Sequence, residues 1–416
     1  MTHESNLLDS AAMCRQERSE MRPFGGLAPF EEVRRVLAEM AVSISDSEIT
    51  PLSDATGRVL ASDASSAVDV PNADRAAMDG FAARASDTAS HKALRLIGRI
   101  AAGDVEEESQ LNPGECVEIA TGAPLPTGAD CVVPVEHALR EEGAVTADSA
   151  FVIGQHVSRQ AEDLAIDQVV ASAGQRLHPS RIAACAASGV TEVEVLRAPR
   201  VRVMSSGDEV IPLGEGPLAP GQVYDSNASA LTALFTQLGC IVDRTPIVAD
   251  DRDALRESLR ESDVDLTITI GGTSVGRRDL VSDVVDEVGE IHLHGVAVRP
   301  GKPLLLATVN NRPLVGLPGF PTSCLMMAYV TAVPLVRKIG HLETIQPPRA
   351  AVLTVDVESP ADKTHFLPVQ LDGDRAIPTF TFSSAVSSMA AADGWIEIAA
   401  EDTHVAAGSQ VEVTLY

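Results

Sequence analysis

Lysine is scarce in this chain. Four lysines, at positions 92, 302, 338 and 363, stand against 59 acidic residues, and the formal charge over 416 residues is −27. A field of that sign repels nucleic acid and anionic membranes, so broad binding to either is excluded. An anionic small substrate remains admissible wherever local cations gather, and one of the four lysines lies in Arg299-Pro-Gly-Lys-Pro303. The acidity as a whole reads as solubility.

Paired cysteines and long apolar runs are also missing. The six cysteines are scattered without a Cys-x-x-Cys pair, which fits reduced thiols rather than a disulfide frame or a zinc knuckle. The longest apolar run, Cys324 to Val336, contains Thr331 and Pro334 and is too short to span a bilayer. Early acids at the N-terminus do not support a secretory signal, and the expected location is cytoplasmic. The ten histidines show no metal-ligand spacing, nothing resembles a Ser-His-Asp arrangement, and Cys324 reads as a small buried apolar residue.

Length and an apolar content of 45% suit two to four domains. Residues 1–22 read as a polar mobile tail. Residues 23–68 and 160–199 form a discontinuous first domain, with helices expected over Phe30–Met40 and from Pro179 to Gly189, and a short one into which Pro51–Leu60 leads. Between them, residues 69–159 carry short β-like runs such as Cys116–Ala120 and Cys131–Val135, as in an inserted β-domain. Residues 200–341 alternate strand and helix: strands at Val201–Met204, Cys240–Val248 and Val264–Ile270, and helices at Asn227–Leu238, Asp251–Leu259 and Asp279–Val288. This pattern predicts a doubly wound α/β domain with a mainly parallel sheet. Residues 342–416 read as a small C-terminal β-domain.

Chemistry concentrates in three loops. The β-branched run Val264 to Ile270 stops at Gly271-Gly272, followed by Thr273 and Ser274 and then by Asp279. Glycine amides can close on an anion, the two hydroxyls can donate to it, and a helix start favours negative charge. Twenty residues on comes Arg299-Pro-Gly-Lys-Pro303, and then Gly316-Leu-Pro-Gly-Phe-Pro-Thr-Ser323, which includes Pro318 and Ser323. Any one of these loops alone reads better as turn geometry and helix capping; the coincidence of three is the signal.

In order along the chain stand Asp74-Arg-Ala-Ala-Met-Asp-Gly80, Ile119-Ala-Thr-Gly-Ala-Pro, Ser205-Ser-Gly-Asp-Glu209, Asp225-Ser-Asn227, Gly271-Gly-Thr-Ser-Val-Gly276, Arg299-Pro-Gly-Lys-Pro303 and Gly316-Leu-Pro-Gly319. This set resembles the molybdopterin molybdenumtransferase family, MoeA and the gephyrin E domain, from about residue 24 to the end. The resemblance implies an elongated homodimer with a molybdopterin-binding α/β domain, an inserted β-domain, a mixed dimerisation domain and a C-terminal β-domain. It implies a reaction of molybdate with adenylylated molybdopterin, assisted by Mg²⁺ or another divalent cation, that releases AMP as the last step of molybdenum cofactor synthesis. Molybdopterin adenylyltransferase and molybdoenzyme maturation proteins are the partners it suggests.

By the same matching, the catalytic set is Asp79, Thr121, Glu209, Asp279 and Lys302. The substrate-binding set is Gly271, Gly272, Thr273, Ser274, Arg299, Lys302, Pro318 and Ser323, and the metal ligands are Asp279 and Glu209. Asp250 or Asp251 matches a further functional position. On the residues alone, Asp279 and Glu209 serve equally as helix caps, and Asp79 and Thr121 as turn residues. The family's cleft lies between protomers, which would make dimerisation a catalytic requirement.

Several positions depart from the family pattern. Arg75 replaces an amide, Ala76 a hydroxyl, Ala161 a glycine, Phe320 an amide and Arg299 a lysine, while Ser158 stands near where an arginine is common. Each lost polar contact to a buried ligand costs about 1–3 kcal/mol. The alternative to an active enzyme is therefore a catalytically impaired relative that binds molybdopterin as a carrier, scaffold or regulatory protein.

Overall fold

The computed structural model describes residues 26–103, 110–260, 263–272, 280–342 and 347–416. Contacts divide it into two compact units, Met1–Asp46 with Leu196–Tyr416, and Ser47–Val195.

The first unit is built on a six-stranded sheet. Its strands are β1 (Arg200–Ser205), β2 (Ile241–Arg244), β3 (Leu266–Ile270), β4 (Gly289–His294), β5 (Leu305–Val309) and β6 (Arg312–Leu317), in the order β2-β1-β3-β6-β5-β4. The first four in that order are parallel, β5 runs against β6, and β4 at the far edge runs against β5. Every residue of β3 is buried, which is why its sequence is a continuous apolar and β-branched run rather than an alternating one.

Helices cover both faces. On one, α1 (Ser226–Gln237) and α4 (Pro321–Met327) pack through Leu231, Phe235 and Met326 against Val201, Val203 and Ile268. On the other, α2 (Arg252–Arg260) and α3 (Leu280–Val288) pack through Leu255, Val281 and Val284 against Met204, Leu305 and Leu314. After α4 the helix widens into one π turn at Ala328–Ala332 and continues as α5 (Val333–Ile339). Pro334 supplies the cause: it has no N–H for the preceding turn, and its ring displaces the carbonyl it would otherwise meet.

The helix Phe30–Met40 was expected in the discontinuous first domain. Its buried face, Phe30, Val33, Val36, Leu37 and Met40, packs instead into the α/β core. Periodicity identifies such a stripe but not the surface that receives it.

C-terminal to the sheet, five strands close on themselves in the order Thr364–Asp372, Arg375–Pro378, Arg349–Leu353, Gln410–Leu415, Gly394–Ile398 and back to Thr364–Asp372. A short strand from the α/β domain, Val298–Arg299, adds to this barrel in parallel beside Thr364–His365.

The second unit holds a separate six-stranded sheet, in the order Cys131–Pro134, Gly80–Ala83, Glu115–Ile119, Leu94–Ile100, Ala144–Ala147, Ala138–Glu141. Helix Pro179–Ala187 lies in the same unit. The short helix into which Pro51–Leu60 is expected to lead does not form; within that stretch only a 3-10 turn at Leu52–Asp54 is helical. Gly57 there has φ of +79°, and the amides of Gly57 and Leu60 donate to Leu177 and Gln175, so tertiary hydrogen bonds override local propensity. The strand expected over Cys240–Val248 is likewise confined to β2.

Candidate anion-binding site

Three loops leave the C-terminal ends of β1, β3 and β6, where ligands of open α/β sheets sit. After β3, Gly271 and Gly272 adopt φ of +81° and +62°. Both need glycine: a methyl at Gly271 would lie 3.1 Å from the Ser206 carbonyl oxygen, and one at Gly272 would lie 2.5 Å from Val281 Cγ2. The Gly271 amide donates to Leu317 at 3.1 Å, which ties this turn to the end of β6. Thr273, Ser274 and Asp279 lie outside the described residues.

After β6, Pro318 is buried and Gly319 is exposed. Gly319 passes so close to the β3 turn that a methyl on it would touch Gly271 Cα at 3.8 Å. Its carbonyl accepts from Asn227 Nδ2 at 2.8 Å. Sequence reasoning did not single out Asn227, although its Asp225-Ser-Asn227 motif was visible. Asp225, only 4% exposed, explains the motif. Its carboxylate accepts from the Ala228 amide at 3.1 Å, from Ser205 Oγ at 3.0 Å and from Arg244 Nη2 at 2.9 Å. One side chain thereby caps α1 and fixes it against β1 and β2. Ser323 is buried in the first turn of α4.

After β1, Gly207 has φ of +131°, and Glu209 folds back over it so that a methyl there would sit 2.8 Å from Oε2. Glu209 is exposed in the loop beyond β1. Asp251 caps α2 by accepting from the Ala254 amide at 2.9 Å.

The Arg299–Pro303 loop carries the cations. Lys302 is exposed, and its own carbonyl is held by the Val296 amide at 2.8 Å. Gly301, at φ of +110°, lies against Met327 of α4. Arg299 is exposed with its guanidinium 5.3 Å from the centre of the Phe380 ring, a cation–π contact supplied by the C-terminal barrel.

In the second unit, Asp79 Oδ1 accepts from the Thr121 amide at 2.7 Å and from its hydroxyl at 3.0 Å. These two bonds hold the carboxyl below the usual carboxylate range. The two motifs, distant in sequence, form one double loop: Ala76 and Gly122–Ala123 exchange backbone hydrogen bonds, and Leu125 donates to Asp74. Gly80 is obligatory, since a methyl on it would lie 2.1 Å from the Val133 carbonyl oxygen. Ala76 is 1% exposed and faces the β-domain core, so its missing hydroxyl is lost from the interior. Arg75 donates to Asn72 at 3.1 Å.

Among the described residues no three His, Cys, Asp or Glu side chains cluster as a metal cage. Cys324 is 1% exposed and burial raises its thiol, consistent with an apolar packing role. No helix of the described residues is long and apolar enough to cross a membrane.

The class these features define is a multidomain α/β protein with a glycine-lined switch point at the C-terminal ends of its strands and an appended β-barrel. Three family models match in chain order: the MoeA N-terminal region (domain I and II) over residues 28–189, a probable molybdopterin binding domain over 202–338, and the MoeA C-terminal region (domain IV) over 350–416. The chain is 34% identical over 400 residues to molybdopterin molybdenumtransferase 2 of Mycobacterium tuberculosis, covering 92% of this chain and 98% of that protein. It is 32% identical to the molybdopterin molybdenumtransferase of Haemophilus influenzae, over 81% of this chain and 84% of that one. The crystal structure of a molybdopterin biosynthesis MoeA protein from Pyrococcus horikosii superposes with a TM-score of 0.80 at 35% identity, covering 94% of this chain and 99% of that one. The chain belongs to the MoeA family.

Proposed function

We propose that this protein is a molybdopterin molybdenumtransferase that inserts molybdate into adenylylated molybdopterin and releases AMP. What supports the reading is that the Gly319 loop abuts the Gly271 turn, and that the strand entered from the Arg299–Pro303 loop pairs its Leu305 with Gly316, just before the Gly319 loop, all in one unit. Both substrates are anions, and in a chain of charge −27 these loops supply glycine turns and two exposed cations. Arg299 presents a planar fork and Lys302 a mobile point charge.

A divalent cation such as Mg²⁺ fits the donor set when the substrate supplies part of its shell. Mg²⁺ binds through one or two carboxylates together with phosphate oxygens and water, and neutralises developing charge on a leaving phosphate. Glu209 is an exposed carboxylate beside the site and would be one ligand, with Asp279 the second. The protein's own residues do the positioning: Lys302 and Arg299 hold the anionic groups, and Asp79, locked by Thr121, presents an ionised carboxylate from the β-domain. In this reading the protein works in the cytoplasm as a homodimer whose protomers share the cleft, receiving substrate from a molybdopterin adenylyltransferase.

The test is AMP release by purified protein supplied with adenylylated molybdopterin, molybdate and Mg²⁺, beside Lys302→Ala and Asp279→Ala. Molybdate-dependent release that both variants lose is the expected result. Tight pterin binding without turnover would replace the transferase by a carrier.

A further inference from the structure

Phe320 and Phe382 are 60% and 61% exposed in a chain that has nine phenylalanines. Phe30, Phe81, Phe151, Phe235 and Phe366 are all buried, as the apolar character of the side chain requires. Val386, beside them on the helix Val386–Ala390 that packs on α4, is 55% exposed.

Hydrogen bonds join the two segments that carry these rings. The amide of Thr322, two residues after Phe320, donates at 3.1 Å to the carbonyl of Ser383, the residue after Phe382. The Thr322 hydroxyl donates to the Ala385 carbonyl at 2.7 Å. Phe320 directly follows Gly319, which abuts the Gly271 turn and accepts from Asn227. Phe382 lies two residues beyond Phe380, whose ring is covered by Arg299. Phe320 is thus the next residue after the loop that abuts the glycine turn, and Phe382 lies two residues from the ring that the Arg299 guanidinium covers.

We propose that Phe320 and Phe382 form an aromatic rim that stacks on the planar heteroaromatic ring of the ligand whose phosphate meets the Gly271–Gly272 turn. The proposal rests on the transferase reading and deepens it by assigning ring recognition, which none of the polar residues above provides. Adenine is a flat aromatic bicycle and the pyrimidinone ring of a pterin is planar and conjugated, and a phenyl ring recognises such a π-face without reading the hydrogen-bonding edge. Phe320 then adds to the site the contact area that its lost amide does not supply. Two phenyl rings and one valine are far smaller than a stable protein interface, which favours a small-molecule occupant over a second copy of the chain.

The full-length protein is titrated calorimetrically with AMP, neopterin monophosphate and ribose 5-phosphate, as wild type and as Phe320→Leu and Phe382→Leu. Leucine keeps apolar bulk and removes the π-face. The expected result is a loss of about fivefold or more in affinity for at least one ring-bearing ligand, with ribose 5-phosphate binding unchanged. An AMP-specific loss assigns the rim to adenine and a neopterin-specific loss to pterin. Unchanged affinities, an equal loss for ribose 5-phosphate, or wild type that binds neither ring-bearing ligand would overturn the rim. So would variants that only change sedimentation, which would give the patch to a second copy. Failure of molybdate-dependent AMP release with the ring-selective loss intact would remove the activity and leave the rim standing.

Discussion

Arg299 and His365 occupy paired positions where the strand Val298–Arg299 joins the C-terminal barrel in parallel. The loop that bears the candidate anion-binding cations is thus anchored outside its own domain. His365 is 2% exposed, and neither ring nitrogen has a hydrogen-bonding partner among the described residues. Burial, and then the nearby Arg299 charge, push its imidazole down to about 4.

That depression makes stability depend on pH. Between about pH 6.5 and the folded value, the unfolded chain takes up a proton that the folded chain refuses, so stability is full above 6.5 and falls as pH drops toward 4. His365→Leu is expected to flatten this slope. At pH 7.5 it should stabilise the protein by about 1–3 kcal/mol, because two unpartnered buried nitrogens disappear. Urea unfolding at pH 7.5 and 5 checks both, and an unchanged slope would refute the assignment.

Arg197→Leu should do the reverse. Burial of Asp265, 3% exposed, opposes its ionisation, but the Arg197 fork at 2.6 and 2.8 Å and the Arg200 amide at 2.9 Å prevail. The carboxyl is held below its usual range. Removing the arginine leaves the buried carboxylate with only the Arg200 amide and Arg312 at 3.6 Å among the described residues, at a cost of up to about 3 kcal/mol. The pair's contribution is present above about pH 4 and lost as pH falls through the depressed value. The variant should therefore differ most from wild type at neutral pH and converge with it in acid, as read by denaturant midpoints.

How much of this was legible in the sequence depends on the range of the interaction. The strand Leu266–Ile270 and its Gly271-Gly272 ending were legible because burial on both faces selects a continuous apolar run and the turn demands positive φ. The contact of Arg299 with Phe380 was not, since no local pattern announces a cation–π pair across domains. Pro51–Leu60 misled because hydrogen bonds to Gln175 and Leu177 decide its backbone. The Asp79–Thr121 pair was singled out only through the family resemblance; its carboxylate geometry needed the fold.

Ala161 adopts φ of +58°, at a position where the family pattern has glycine. A left-handed conformation costs an L-residue roughly 1–2 kcal/mol, while glycine costs about 0.4–1 kcal/mol through the unfolded chain. Ala161→Gly should raise stability by up to about 1 kcal/mol, seen as a higher melting temperature. A fall would mean that the surrounding turn has adapted to the methyl group.

Asp79→Asn tests whether the Asp79 charge takes part in the proposed reaction. Asparagine fits the same turn, and its carbonyl oxygen can still accept from Thr121, but the negative charge is gone. The side chain is exposed, so the melting temperature should hardly move. AMP release should fall at least about tenfold if the charge acts on the reacting groups. Thr121→Val, which keeps the amide bond and removes the hydroxyl bond, should give a smaller loss. Equal activity in all three proteins would reduce the pair to a turn device.

Gly301→Ala should imitate the loss of Lys302 without touching it. A methyl on Gly301 would lie 2.3 Å from Met327 Cγ and 2.5 Å from its sulfur, and φ of +110° is hostile to any side chain. The loop must move, and Lys302 is the next residue. A displacement of about 1 Å at a positioned charge can cost roughly a hundredfold in rate, and the strain itself costs on the order of 1–3 kcal/mol. Met327→Ala in the same protein clears the clash but not the backbone strain. The double variant should therefore recover only part of the turnover that Gly301→Ala loses. Full recovery would assign the effect to packing alone, and wild-type turnover in the single variant would detach Lys302 from the chemistry.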